Sequence, residues 1–425
     1  YYLATTGRPG PVLVDITRDA QLDVISYEEF ETIFNEPISI EGYEPNYIGH
    51  PKQIKKAIDL LKGAKRPLII AGHGVLLSNA TEELYKLATT CQVPVVNTLL
   101  GLGSFPGEHQ LSLGMLGMHG TVYANYAVNE ADVVLALGIR FDDRIAGVPK
   151  EFCKDATIIH VDIDPAEIGK NKLIDVPIVG DLKHVLNEMN HELTPQTHES
   201  WLERIREWRE EYPIRVRPHE GNSLLPQKVI QEIDNIVKGN AIVVTDVGQH
   251  QMWTSQFITF SKPNTIITSG GAGTMGFGLP AAIGAQVAQP DKKVVLITGD
   301  GGLQMNSQEL LLLKAYNIPV KVVIINNGFL GMVRQWQELF NNHRYSFVDL
   351  SINPDFETLA KAYGVQGVTL STIEDLRSQL RDLILSDEPV VINCIVEKEE
   401  NVFPMIPAGC TAKDMMGLKG GPDNE

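Results

Sequence analysis

The stretch that decides the fold is Val294-Val295-Leu296-Ile297-Thr298-Gly299-Asp300-Gly301-Gly302, an apolar run that ends in a glycine-rich turn around one carboxylate. A second apolar run over 320–325 ends in Asn326-Asn327, so 24 residues separate Gly301 from Asn326. The residues between carry a predicted helix over 308–315, so they form one right-handed crossover between two parallel strands. Because the carboxyl ends of parallel strands meet at one edge of a sheet, Asp300 and Asn327 are predicted to lie side by side there.

This pair of residues has the chemistry of a magnesium site. A carboxylate, an amide oxygen and a nearby backbone carbonyl make half an octahedron for Mg²⁺, which diphosphate oxygens and a water would complete. Gly301 and Gly302 allow the backbone to approach phosphates, and the following helix presents its N-terminal N–H groups. Taken singly, Asp300 in a strand-end turn and Asn327 in an Asn-Asn-Gly turn have ordinary structural interpretations. Their combination at this spacing favours a metal and diphosphate site.

Apolar strands alternate with helices on both sides of this stretch. The pattern predicts an α/β fold with two doubly wound domains, each a parallel sheet covered on both faces. The predicted strands are 67–71, 93–96, 131–137, 157–161, 177–179, 241–245, 265–268, 294–298, 320–325 and 389–396. The predicted helices are 51–61, 80–88, 201–211, 308–315, 356–363 and 373–385.

Composition excludes several classes of protein. The 425 residues include 43% hydrophobic and 21% charged side chains, which are ordinary globular values. A net charge of −17 argues against nucleic acid and anionic membrane as partners. Four widely spaced cysteines without a CxxC pair predict neither a disulfide framework nor a zinc site, and they favour a reducing compartment. No run approaches the roughly 20 apolar residues of a membrane span.

Several further segments, together with the pair of strand-end turns, resemble one enzyme family. The chain is similar to the catalytic subunit of acetohydroxyacid synthase (acetolactate synthase), a thiamine diphosphate (ThDP) enzyme. The segments that carry this resemblance are Arg8-Pro9-Gly10-Pro11, Met115 to Gly120, Arg140-Phe141-Asp142-Asp143-Arg144, Val247-Gly248-Gln249-His250, Gly271 to Pro280 and Met332-Val333-Arg334-Gln335-Trp336.

The resemblance implies a role for individual residues in ThDP and metal binding. Mg²⁺ would be held by the side chains of Asp300 and Asn327 and by the backbone oxygen of Phe329. The residues expected to contact ThDP are Gln249, His250, Gly273, Met275, Gly301, Gly302, Leu330 and Gly331.

The residues expected to act in catalysis are Met275, Met332, Trp336 and Arg144. In the family, Met275 corresponds to the residue that holds ThDP in its bent form, Trp336 and Met332 border the pocket of the second keto acid, and Arg144 lies near the substrate entrance. Each has an ordinary alternative interpretation: Met275 as a loop methionine that fills a core gap, Trp336 as a core aromatic and Arg144 as a surface ion pair.

The resemblance further implies FAD binding at the middle sheet, without net redox chemistry. The corresponding positions are Arg8, Gly72, His73, Gly74, Thr98, Leu99, Met118, His119, Gly138, Arg140, Asp162, Ile163 and Asp181. The sequence departs from the family at His73, where a small glycine is usual. A side chain there would either weaken FAD binding or turn outward.

The expected domain organisation follows from the resemblance and from composition. Residues 1–20 would be the end of an N-terminal pyrimidine-binding domain with a short apolar strand over 12–16. A linker over 21–50, an FAD-type domain over 51–190, a second linker over 191–225, a ThDP diphosphate and Mg²⁺ domain over 226–400 and a tail over 401–425, frayed from Lys413, would follow. The family's essential glutamate cannot be assigned to a residue here, so the chain alone is expected to be inactive in a pyruvate-to-acetolactate assay.

The expected function is the decarboxylation of pyruvate and its ligation to a second 2-keto acid, pyruvate or 2-oxobutyrate, the first common step of branched-chain amino-acid synthesis. A homodimer or tetramer with its active site at the subunit interface, a small regulatory subunit and a cytoplasmic or plastid location are expected from the resemblance. Two alternatives remain open at this point. One is another ThDP carboligase or decarboxylase, such as a catabolic acetolactate synthase or glyoxylate carboligase; the other is a non-catalytic nucleotide-binding module.

Overall fold

A computed structural model describes residues 1–35 and 38–418 and confirms the predicted α/β class with two parallel sheets. The first sheet has six strands in the order β3-β2-β1-β4-β5-β6, and every pairing is parallel. Its strands are β1 (Pro67–Ala71), β2 (Val95–Asn97), β3 (Ser112–Met115), β4 (Val133–Leu137), β5 (Thr157–Asp162) and β6 (Val176–Val179).

The second sheet also has six strands, in the order β11-β12-β10-β9-β7-β8, again with parallel pairing throughout. Its strands are β7 (Ala241–Thr245), β8 (Ile266–Thr268), β9 (Lys293–Gly299), β10 (Lys321–Asn326), β11 (Gln366–Leu370) and β12 (Val390–Ile395).

Both faces of each sheet are covered, which explains why the strands are continuously apolar. Alternate residues of β1 belong to two different buried clusters: Leu68 and Ile70 pack on one side, Ile69 and Ala71 on the other. Successive side chains of a strand point to opposite faces, so only a sheet buried on both sides gives such an uninterrupted run.

The helices that cover the first sheet and precede it are α1 (Tyr2–Thr5), α2 (Arg18–Leu22), α3 (Tyr27–Asn35), α4 (Pro51–Gly63), α5 (His73–Leu77), α6 (Thr81–Cys91), α7 (Val122–Glu130), α8 (Asp143–Ala146), α9 (Leu182–Glu192) and α10 (Glu199–Glu211). Those around the second sheet are α11 (Pro226–Val237), α12 (Gln249–Phe257), α13 (Gly278–Ala288), α14 (Asp300–Met305), α15 (Leu310–Ala315), α16 (Gly331–Phe340), α17 (Phe356–Ala362) and α18 (Ile373–Leu385). Short 3₁₀ turns occupy Leu99–Gly101, Ser307–Glu309 and Ala412–Asp414. In the described ranges, we find no helix that combines the length and apolarity needed to cross a membrane.

The predicted strand over 12–16 is wrong. These residues are exposed and belong to no helix or strand, with no strand partner among the described residues, and α1 and α2 flank them. A strand needs a neighbour to satisfy its backbone, which an apolar run by itself does not provide.

The two regions expected as linkers contain helices. The first includes α3, although Glu36 and Pro37 lie outside the described residues. In the second, α10 is firmly packed, because Trp201 is 2% exposed and its Nε1 donates to the oxygen of Pro67 at 3.0 Å.

The C-terminal segment is packed rather than frayed from Lys413 to Leu418. Met415 is 5% exposed, and Met405 and Met416 exchange two backbone hydrogen bonds of 3.0 and 2.8 Å. Residues 419–425 of the expected tail lie outside the described residues.

The two α/β units share a boundary of apolar and backbone contacts. Leu102 and Met115 of the first unit belong to the buried core of the second. Gln256 donates through Nε2 to the oxygen of His119 at 2.9 Å, and the N–H of Gly107 donates to the oxygen of Phe260 at 3.0 Å.

Candidate active site

The order of the second sheet reverses between β7 and β9. The chain runs outward from β7 to β8 on one side and from β9 to β10 on the other. In open parallel sheets this reversal leaves a crevice outside the carboxyl ends of the strands, where ligands bind. A cavity of about 540 Å³, including its open mouth, lies there. It is lined by Val247 to His250, Trp253, Met275, Gly299 to Gly302, Ile325, Asn327 and Phe329 to Val333.

Asp300 and Asn327 meet in this cavity, because Gly299 pairs in register with Ile325 on the neighbouring strand. Asp300 is 1% exposed, and its Oδ2 accepts a 2.6 Å hydrogen bond from Nδ2 of Asn353. Burial raises the pKa of its carboxyl to about 6. A buried carboxylate whose side-chain partner is a neutral amide favours a cation beside it.

Asn327 presents an oxygen to the same place. Its Oδ1 accepts a 3.1 Å hydrogen bond from the N–H of Phe329, which also lines the cavity. The described residues contain no cluster of three or more carboxylate, histidine or cysteine ligands. The predicted metal ligands are a single carboxylate, an amide and a carbonyl, so they do not require such a cluster.

Gln249 and His250 begin α12 and face the cavity from the other side. Burial lowers the pKa of His250 to about 4, so its ring is neutral near pH 7. A Cβ on Gly248, whose φ is +152°, or on Gly299 would stand about 3.0–3.1 Å from that ring. The Nε2 of His250 and Nε1 of Trp253 are buried, with no hydrogen-bond partner among the described residues. Unpartnered polar atoms in a cavity suit a ligand with polar atoms of its own.

Gly302 in the first turn and Gly331 shortly after the second are required by packing of the chain itself. A Cβ on Gly302 would stand 2.8 Å from Oδ1 of Asp246, and one on Gly331 only 2.1 Å from Oε1 of Gln249. The backbone therefore comes close to the cavity at both turns. Gly273, in contrast, is exposed and is not among the residues that line the cavity.

The apolar wall of the cavity includes Met275, Leu330, Met332 and Val333. Two of the residues expected in catalysis, Met275 and Met332, thus line the same cavity as Asp300 and Asn327.

The other two lie elsewhere. Trp336 is half-buried against Phe340, with ring centroids 4.9 Å apart, and does not line this cavity. Arg144 is exposed beside Asp143 and lines a different cavity, together with residues 406–412.

The residues expected to bind FAD lie mostly at the carboxyl edge of the first sheet, whose order reverses between β1 and β4. Gly72, Gly74 and Gly138 pack directly on one another there: a Cβ on Gly72 would stand 2.2 Å from the Gly138 oxygen, and one on Gly138 would stand 2.6 Å from Cα of Gly74. His73 begins α5, and its side chain is exposed.

The polar members of this group have the following partners. Arg8 pairs with Asp164 at 3.0 Å and Glu167 at 2.7 Å, and Arg140 pairs with Asp142 at 2.9 Å. Thr98 and Asp181 accept N-cap hydrogen bonds from the N–H groups of Gly101 and His184.

Two members of the group are buried titratable side chains. Burial raises the pKa of Asp162 to about 6 and lowers that of His119 to about 4. The Nδ1 of His119 is buried with no partner among the described residues. The apolar or backbone positions Leu99, Met118 and Ile163 are half-buried at the same edge.

Sequence reasoning missed three residues around the cavity. Asp246 follows β7 and accepts hydrogen bonds from the N–H groups of Val247, Gly276 and Gly278, which ties the glycine loop to the sheet. Its position at a strand end was the available signal. Asn353, which bonds Asp300, and Gln335, which bonds Gln249, carry no comparable signal in the sequence.

Comparison with known families matches both units. Residues 54–189 match "Thiamine pyrophosphate enzyme, central domain", and residues 246–394 match "Thiamine pyrophosphate enzyme, C-terminal TPP binding domain".

Related chains cover nearly the whole sequence. The chain is 46% identical over 419 residues to the "Probable acetolactate synthase large subunit" of Methanocaldococcus jannaschii, spanning 96% of this chain and 70% of that protein. It is 43% identical to the "Acetolactate synthase large subunit" of Lactococcus lactis, spanning 100% of this chain and 73% of that protein. The corresponding protein of Cyanidium caldarium is also 43% identical, over 98% of this chain and 72% of its own length.

Proposed function

Because the chain belongs to the acetolactate synthase large-subunit family of thiamine pyrophosphate enzymes, we propose that the cavity at the carboxyl edge of its second sheet holds Mg²⁺ and the diphosphate of ThDP. The observation that carries the proposal is the buried Asp300 carboxylate next to the Asn327 amide, at the reversal of the strand order. ThDP, when bound, supplies the carbon nucleophile and electron sink with which pyruvate loses CO₂ and its two-carbon unit passes to a second 2-keto acid.

Three groups of the chain would hold the metal: the Asp300 carboxylate, the Asn327 amide oxygen and the Phe329 backbone oxygen. Mg²⁺ prefers hard oxygen ligands and shares them with phosphate oxygens. The cation would also offset the burial of Asp300, whose pKa of about 6 reflects lost hydration.

The rest of the cavity would orient the cofactor. Gln249 and His250 face the diphosphate position, and the Gly301, Gly302 and Gly331 backbone can approach it closely. Leu330 lines the same part of the cavity.

The apolar wall at Met275 and Met332 excludes water. Such surroundings favour a step in which the charge of a carboxylate is lost. We propose that Met275 supports ThDP in its bent form.

Trp336 and Arg144 are proposed to act on the second keto acid. Trp336 lies one helical turn beyond Met332 on α16, so it can border the mouth of the cavity. The exposed guanidinium of Arg144 is free to hold a carboxylate, since its partner Asp143 is 3.8 Å away and also exposed. Gly273, in the exposed glycine loop, is proposed to approach ThDP through its backbone.

A second site for FAD is proposed at the edge of the first sheet. The unpartnered Nδ1 of His119 and the buried Asp162 are the groups that support it. FAD would be structural, and its flavin absorbance in the purified protein would distinguish this enzyme from a ThDP carboligase that lacks FAD.

The proposed partners are pyruvate, 2-oxobutyrate, further copies of the subunit as a dimer or tetramer, and a small regulatory subunit. The relatives' description as large subunits supports the last of these. The four cysteines are free thiols, which supports a reducing compartment such as the cytoplasm or a plastid.

The test is calorimetric titration of ThDP with and without Mg²⁺. The unchanged protein is expected to bind ThDP only with Mg²⁺, whereas Asp300→Ala is expected to lose this binding. Asp291→Ala is a matched control, because Asp291 is an exposed aspartate that precedes β9, at the end of that strand opposite Asp300. ThDP binding that is equally strong without Mg²⁺, or that is unchanged in Asp300→Ala, contradicts the proposal and favours a nucleotide-binding module.

A further inference from the structure

Three buried amides connect the C-terminal segment to the candidate metal site. Gln335 on α16 is 0% exposed, Gln249 on α12 is 3% exposed and Asn327 after β10 is 7% exposed. Nε2 of Gln249 donates to Oε1 of Gln335 at 2.9 Å, and Nδ2 of Asn327 donates to Oε1 of Gln249 at 3.2 Å. Gln335 lies in a segment that carried the family resemblance, but no role was assigned to it.

Backbone groups fix which way each amide points. The N–H of Val402 donates to Oε1 of Gln335 at 2.8 Å, and Nε2 of Gln249 donates to the oxygen of Glu400 at 2.8 Å. At the other end, the Phe329 N–H donates to Oδ1 of Asn327 at 3.1 Å. A backbone N–H only donates and a backbone carbonyl only accepts, so each contact permits a single orientation of the side-chain amide.

The Gln335 oxygen and the Gln249 amino group have no free hydrogen-bonding capacity left. Both lone pairs of the Gln335 oxygen are taken, by Val402 and Gln249, and both hydrogens of Gln249 Nε2 are taken, by Gln335 and Glu400. The Gln249 oxygen must therefore turn toward Asn327 and bind its amino group. Asn327 is then left with its oxygen, rather than its amino group, toward Phe329 and the metal position.

We propose that Gln335 is a positioning residue that acts through Gln249 to hold Asn327 with its oxygen toward Mg²⁺. This inference rests on the proposed function of the cavity. Gly331 makes the arrangement sterically feasible, because a Cβ there would stand 2.1 Å from Oε1 of Gln249 and 2.8 Å from Nδ2 of Asn327.

Removal of the Gln335 oxygen deprives Val402 and Gln249 of an acceptor in a buried place. Gln249 is then held by the Glu400 oxygen alone, so its Oε1 is less firmly directed at the amino group of Asn327, and the Phe329 N–H is left as the group that orients Asn327. Partners that orient metal ligands in this way typically change metal affinity by about 10- to 100-fold when they are removed.

The experiment measures the Mg²⁺ concentration that gives half-maximal ThDP binding, by calorimetry, with thermal unfolding of each apoprotein as a check on folding. Gln335→Met removes the acceptor at similar volume, and a rise of about 10-fold or more is expected. Gln335→Glu keeps oxygens that can accept from Val402 and Gln249, and its carboxyl, held protonated by burial, can donate to the Val402 oxygen in place of Nε2. Its Mg²⁺ requirement should therefore stay close to that of the unchanged protein. If Gln335→Met does not fold, Gln335→Asn is the second variant. Its side chain is one methylene shorter, so its amide oxygen moves away from Val402 and Gln249 while a polar group stays in the site.

Gln337→Met is the matched control on the same helix. Gln337 also exchanges two hydrogen bonds with backbone groups, those of Ser346 at 3.1 and 3.0 Å, but it has no contact with Gln249. Its loss should lower stability without moving the Mg²⁺ requirement.

Two results overturn the inference while leaving the proposed function intact. The first is a Mg²⁺ requirement of Gln335→Met equal to that of the unchanged protein. The second is a Mg²⁺ requirement that rises equally in Gln335→Glu and Gln335→Met. In both cases the unchanged protein binds ThDP in the presence of Mg²⁺. Absence of Mg²⁺-dependent ThDP binding by the unchanged protein overturns the proposed function and this inference with it.

Discussion

At the scale of the residue, Asp300 carries an electrostatic cost in the protein alone. Burial raises the pKa of its carboxyl from the usual 3.8 to about 6, so its charged form costs more free energy in the folded chain than in the unfolded chain. The folded apoprotein therefore holds a proton between about pH 4 and 6 that the unfolded chain does not. The destabilisation from this group is present above pH 6 and is relieved as the pH falls through 6.

Metal binding should show the opposite dependence on pH. Mg²⁺ takes the deprotonated carboxylate, so the half-saturating Mg²⁺ concentration should rise as the pH falls below about 6, approaching tenfold per pH unit. The measurement is a Mg²⁺ titration of ThDP binding between pH 5 and 8. Asp300→Asn corrects for the titration of the ThDP phosphates. The Asp300→Asn variant should bind Mg²⁺ weakly. An equal pH dependence of the Mg²⁺ requirement in this variant and in the unchanged protein would contradict the assignment of the proton to Asp300.

At the scale of the element, two helices differ in whether a glycine is required. Gly331 begins α16, and a Cβ there meets Gln249 and Asn327, whereas Gly284 lies within α13 and a Cβ there meets no atom within 4 Å. Gly331→Ala should therefore destabilise the protein by about 1–3 kcal/mol through overpacking and should weaken ThDP binding. Gly284→Ala should be neutral or stabilising by up to about 1 kcal/mol, because alanine favours a helix.

Chemical unfolding of the two variants checks this comparison. Equal stabilities of the two variants would show that α16 moves freely away from α12. That outcome would remove the steric basis for the close contact of Gln249 and Asn327.

At the scale of the molecule, ligand binding and stability are linked. A ligand that binds only the folded chain at 100 times its dissociation constant adds about 2.7 kcal/mol to the free energy of unfolding. ThDP with Mg²⁺ should therefore raise the midpoint of thermal unfolding of the unchanged protein, and the same mixture should leave Asp300→Ala unshifted. A shift of equal size in both proteins would indicate binding away from the cavity.

Much of the fold and the placement of Asp300 beside Asn327 were predictable from the sequence, because both follow from local patterns and chain topology. Continuous apolar strands such as β1 and β10 indicated parallel sheets covered on both faces, and Asp300 and Asn327 each follow such a strand. One crossover between neighbouring parallel strands is then enough to bring the pair together. The apolar run over 12–16 had the same local pattern, but it has no neighbouring strand and remains exposed.

The sequence by itself thus determined the α/β class, the family and the position of Asp300 and Asn327 at one sheet edge. The tertiary structure decided which side chains support that pair. Asn353 bonds Asp300 from 53 residues away, and Gln335 bonds Gln249 from 86 residues away. Such contacts depend on how loops and helices pack on the sheet, and the orientation of an amide depends on every partner around it. Only packed elements fix those partners, so the three connected amides became visible in the structure and not in the order of the residues.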